Sequence, residues 1–127
     1  MNSIMTATMA FAVLAATALG QETPPQPKIT GVLVILSANK NASVQKVMKV
    51  MPAEIRATVE LYLAGKIHEW FSRGDGRGVV FLLDVKSEEE ARSLVEGMPL
   101  SKEDLMDHQY IPVGPLLPLR MLMNSAQ

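Results

Sequence analysis

The spacing of hydrophobic residues changes several times along this chain, and each change marks an element. Ile29 to Leu36 reads Ile-Thr-Gly-Val-Leu-Val-Ile-Leu, a β-branched run apolar on both faces, as a strand covered on two sides requires. Ser37 to Asn41 is a polar break. Ala42 to Ala64 is helical in composition, and Pro52 predicts two pieces, because a mid-helix proline forfeits a hydrogen bond that a first-turn proline does not need. In the second piece Ile55, Val59, Tyr62 and Leu63 fall at i, i+4, i+7 and i+8 and form one apolar stripe; Gly65 supplies the left-handed position that ends it. Ile67 to Arg73 and Gly78 to Val85 read as two strands joined by a Gly74-Asp75-Gly76-Arg77 hairpin.

Ser87-Glu88-Glu89-Glu90 has the Ser-x-x-Glu spacing of a capping box, in which hydroxyl and carboxylate satisfy helix-end amides reciprocally. Ala91, Leu94, Val95 and Met98 make the buried stripe of that helix, and Gly97 with Pro99 closes it. From His108 to Leu119 strand-like residues are interrupted by Pro112, Pro115 and Pro118, which confines the segment to an edge strand or an arm crossing to a partner. The resulting order is β-α-β-β-α-β, an α+β domain over 29–120 followed by a tail at 121–127.

Ahead of the domain, Met1 to Gly20 has no charged side chain, and Ala7 to Leu19 is an apolar run shorter than the ~20 residues a membrane span takes. Ala18-Leu19-Gly20 places small residues before Gln21, so 1–20 is expected to be an export signal cleaved near Gly20. The first turn lacks Lys and Arg, which leaves an uncleaved anchor as the alternative. Pro24, Pro25 and Pro27 make 21–28 an extended tether.

A length of 127 residues allows one domain. The chain has no cysteine, hence no disulfide and no thiol nucleophile, and a domain this small gains from a subunit interface. Twelve basic and 13 acidic residues leave a net charge of −1, which draws the chain neither to nucleic acid nor, once the signal is removed, to a membrane. The apolar stretch Ile111 to Leu119 would be an exposed patch on a monomer, so a homodimer or a higher homo-oligomer is expected. Two histidines far apart give no metal-ligand spacing, and the absence of a phosphate loop, dinucleotide fingerprint or serine elbow leads to an expectation of no cofactor.

Gly65, the aromatic-bearing strand at Trp70 and Phe71, the Asp84-Val85 strand end, and Ser87, Glu90, Leu94 and Met98-Pro99-Leu100 together resemble the muconolactone isomerase group of the dimeric α+β barrel proteins, which also include the YciI-like proteins. With its flanking elements the resemblance spans about Ile29 to Leu119. It implies a ferredoxin-like fold with an antiparallel sheet that pairs with a second subunit into a barrel, and a pocket between sheet and helices or within the barrel. In that group the second strand carries a Trp-Arg pair, whereas Ile67 and His68 stand here, so the isomerase site does not carry over residue by residue.

Read from the residues, strand alternation puts His68, Trp70 and Ser72 on one face and Ile67, Glu69, Phe71 and Arg73 on the other. His68 is the candidate general base, since imidazole both takes and returns a proton near neutral pH, or else a histidine satisfied by a backbone carbonyl. Trp70 is a stacking platform or core. Arg73 and Arg77 are candidates to hold a substrate carboxylate with Asp75 orienting one of them, or simply to stabilise the turn. Ser72, His108 and Tyr110 complete the candidate ligand contacts. Two functions remain: a cofactor-free isomerase moving a proton on a small cyclic or aromatic-derived acid, and a non-catalytic module holding a small organic ligand.

Overall fold

A computed structural model describes residues 26–124; the expected export signal, most of the tether and the last three residues lie outside the described part. The elements run β1 (Gly31–Ala38), α1 (Val44–Leu63), β2 (Ile67–Ser72), β3 (Gly78–Leu83), α2 (Glu88–Glu96), α3 (Pro99–Lys102), β4 (Met106–Val113) and α4 (Leu117–Asn124). The strands form one sheet in the order β2-β3-β1-β4 with every neighbouring pair antiparallel. This α+β arrangement is compatible with a ferredoxin-like fold.

α1, α2 and α3 cover one face. Val32, Val34 and Leu36 of β1 share that face with Phe81 and Leu83 of β3, and all five are buried. Ala91, Val95 and Met98 close over them from α2 and the turn after it, the stripe expected from the spacing. Ser87 caps α2 by accepting a hydrogen bond from the Glu90 N–H at 3.1 Å, but the Glu90 carboxylate reaches back to the Lys86 N–H at 3.3 Å, one residue beyond the standard box. Among the described residues no helix is packed on the other face of the sheet. Leu33 and Ile35 of β1, Val80 and Leu82 of β3, and Ile111 of β4 lie on it by register and remain partly exposed within the single described chain.

Three local expectations change. α1 is one 20-residue helix with Pro52 inside it, not two pieces. Pro52 is exposed, so water can solvate the Met48 carbonyl that loses its partner. The stripe read from Ile55, Val59, Tyr62 and Leu63 is exposed, and the less exposed row of the helix is Val47, Met51, Glu54, Thr58 and Leu61, at i, i+4, i+7, i+11 and i+14. The segment after β4 is helical from Leu117, with Pro118 in the first turn, where its missing N–H is no loss. β4 itself is an edge strand and accommodates Pro112.

Glycine is needed where the chain packs closest. At Gly78 a Cβ would stand 1.9 Å from the Leu36 carbonyl oxygen, so only glycine lets β3 begin against β1. Gly65 ends α1's turn with φ of 74°, as its position after the helical pattern predicts.

Candidate functional site

β2 does not alternate regularly. Its register against β3 shifts between Ile67 and Glu69, leaving His68 as an extra residue without a Cα partner. Such a bulge flips the alternation, so Ile67, Trp70 and Ser72 share the helix-covered face while Glu69 and Phe71 share the open one. The face grouping read from the sequence is thereby corrected: His68 is exposed on the bulge and does not stand with Trp70.

α1 stands off the sheet over β2 and β3, and the gap is a cavity of about 680 Å³. Leu36, Val79, Phe81, Trp70, Ser72 and Met106 form its sheet wall. Val47, Met51, Glu54, Ile55, Thr58 and Val59 form its helix wall, and Leu100 and Arg77 also line it. The lining is overwhelmingly apolar, as in small-molecule sites generally, with few polar groups to orient an occupant. Trp70 lies 39% exposed and is stacked on Tyr62 with ring centroids 4.3 Å apart and planes 10° from parallel, which holds the indole in place at the cavity wall.

Glu54 is the charged side chain that sequence reasoning passed over. It is 8% exposed, and Oε2 accepts a hydrogen bond from the Leu100 N–H at 2.8 Å. Burial pushes its pKa above the usual glutamate value, and the Leu100 N–H opposes that shift in part. A carboxyl group that lines such a cavity with its pKa raised by burial holds a proton more readily than a free glutamate, which suits it to acid-base work. Its signal was present in the sequence as an acid on the Met51-Glu54-Thr58-Leu61 row, an inward row recognisable only once Pro52 is allowed inside the helix.

The other candidates separate. Trp70, Ser72 and Arg77 line the cavity. Arg73 donates to the Ser37 hydroxyl on the open face of the sheet and to Asp75 Oδ2 at 2.5 Å, so the two arginines are not a clamp on one ligand. Asp75 also accepts from the Arg77 N–H at 3.0 Å; this bond and the Arg73 guanidinium hold its pKa below the ordinary aspartate value. Asp75 is thus occupied within the hairpin.

His108 and Tyr110 lie on the helix-covered face beneath α2 and α3, away from the cavity lining. His108 Nε2 is 2.8 Å from the Ser101 hydroxyl, and burial lowers its pKa against the pull of Glu96 and Asp107. The Arg92 guanidinium, paired with Glu88 at 2.7 Å and Glu96 at 3.5 Å, sits 4.5 Å above the Tyr110 ring. The Tyr110 hydroxyl is buried without a hydrogen-bond partner among the described residues.

Among the described residues no group of three or more His, Asp or Glu side chains is placed to hold a metal ion, and no helix is long and apolar enough to cross a membrane. Comparison with known proteins returns no matching family model and no matching curated sequence.

Proposed function

We propose that the cavity between α1 and the sheet binds a small organic molecule with an apolar body, and that Glu54 moves a proton on it without a cofactor. The observation that carries this reading is the buried carboxyl of Glu54 in a mostly apolar cavity of about 680 Å³, its pKa raised by burial. A small cyclic or aromatic-derived acid fits the lining: Trp70 offers a ring face, and Arg77 a guanidinium for a carboxylate. The resemblance to the muconolactone isomerase group points to the same chemistry. Glu54 takes the acid-base role first assigned to His68, which is exposed on the bulge.

The test is deuterium incorporation. Lactones and enol acids bearing an acidic C–H are incubated in D2O with wild type and with Glu54→Gln, and exchange is followed by NMR. Turnover by wild type and a loss of at least about 100-fold in the variant are expected, the usual contribution of a positioned acid or base. Equal exchange by both proteins would remove Glu54 from the chemistry. The second reading, a non-catalytic binding module, is favoured by one observation: the Glu54 carboxyl already serves the Leu100 N–H at the start of α3, where the N-cap residue Met98 makes no side-chain bond. Binding without exchange would select it.

The protein is further proposed to be exported and to act as a homodimer. Export is supported by the uncharged, apolar stretch 1–20, and pairing by the sheet face with Leu33, Ile35, Val80, Leu82 and Ile111, which no described helix covers. An apolar sheet face of this kind invites association. Light scattering at micromolar concentration should give twice the monomer mass, and Ile35→Lys should halve it.

A further inference from the structure

α3 is a single turn, and two of its adjacent residues are held by titratable side chains from different elements. The Leu100 N–H is bound by Glu54 of α1 at 2.8 Å, and the Ser101 hydroxyl lies 2.8 Å from His108 Nε2 on β4. The far end of the turn is anchored separately: Asn39 Nδ2 donates to the Asp104 carbonyl at 2.9 Å, and the Asn39 N–H to the Leu105 carbonyl at 3.0 Å. The start of α3 has no side-chain cap from Met98. Its attachment to the sheet at Ser101 therefore runs through the imidazole.

We infer that His108 is a positioning residue for Glu54: through the Ser101 hydroxyl it fixes the α3 turn, and the Leu100 N–H of that turn fixes the carboxyl in the cavity. The inference rests on the proposed function only in taking Glu54 as the proton-transferring group. It links the two sides of the covered sheet face, since His108 stands beneath α2 and α3 while Glu54 faces the cavity. The link has a direct electrostatic consequence. An N–H donated to a carboxylate favours its ionised form, so a turn that drifts away leaves burial unopposed and makes Glu54 harder to ionise. The charged groups around the pair are Arg77 on the cavity wall, Glu96 and Arg92 of α2, and Asp107 of β4. Arg92 is also paired with Glu88 and Glu96, so α2 meets His108 with both signs of charge.

The experiment is a carbon-13 NMR titration of the Glu54 carboxyl in the full chain, with no ligand present, assigned by its disappearance in Glu54→Gln. Ser101→Ala and His108→Ala are expected to raise the Glu54 midpoint by about half a unit or more, part of what one hydrogen bond to a charged group is worth. His108→Gln, whose amide reaches the position of Nε2, is expected to restore it. Amide exchange at Leu100 should quicken in Ser101→Ala and return to the wild-type rate in His108→Gln. An unchanged Glu54 midpoint in a folded Ser101→Ala protein would overturn the inference, as would a shift that His108→Gln does not reverse. Failure of the proton-transfer reading would show separately, as an absence of deuterium exchange with the titration shifts intact.

Discussion

The two long helices that cover the sheet use it differently. α2 has nine residues and buries Ala91 and Val95 completely, whereas α1 has 20 and buries only Glu54. On the α2 side small and branched side chains interlock with β1 and β3, and Met98 completes the seal. On the α1 side Ile55 is 56% exposed even though it lines the cavity, and Leu63 is 77% exposed. The same sheet face is thus packed over one half and left open over the other. Packing stops there at a mostly apolar cavity, the feature on which the proposed binding rests.

This contrast can be broken by paired truncations. Met98→Ala on the sealed side should cost about 2–5 kcal/mol, as buried methionine truncations do, whereas Ile55→Ala at the cavity should cost under about 1 kcal/mol. Urea unfolding midpoints check this, and equal losses would mean that the cavity closes in solution. Next in size, Glu54→Ala leaves the Leu100 N–H unsatisfied and should cost about 1–3 kcal/mol; Glu54→Gln keeps an acceptor there and should cost less.

Two pH effects sharpen the comparison further. The Glu54 pKa is raised in the folded protein, so its contribution to stability is full below the ordinary value of 4.5 and is lost as pH rises through the folded value. The thermal stability of wild type should therefore fall relative to Glu54→Gln as pH rises across that range. His108 behaves oppositely: its folded pKa is lowered, so its contribution is full above 6.5 and is lost as pH falls through the folded value. Wild type should lose stability on acidification that His108→Gln does not lose. This second effect is expected to be the smaller, because the imidazole is only partly buried.

Much of the sealed half was legible in the sequence, and little of the open half. The capping serine and the Ala91-Leu94-Val95-Met98 stripe are local signals, as is the glycine hairpin, the legible part of the open half, and local signals survive folding. Glu54 was hidden because Pro52 argued for a helix start, which sets the inward row one residue out and makes a glutamate look like surface. The His68 bulge was hidden because its local sequence contains no glycine, and the register shift follows from pairing with β3. Neither the gap beneath α1 nor the link through α3 is encoded in any short stretch; both arise from how separate elements meet.

The most direct test of the open half uses Trp70, the chain's single tryptophan and part of the cavity wall. Its fluorescence is followed while benzoate, phenylacetate and small unsaturated lactones are titrated into wild type and into Thr58→Phe, which projects a ring into the cavity. Saturable change in wild type with at least one of these compounds, and at least tenfold weaker binding in the variant, is the expected result. No change with any of them, or equal affinity in both proteins, would contradict the account of this cavity as a binding site.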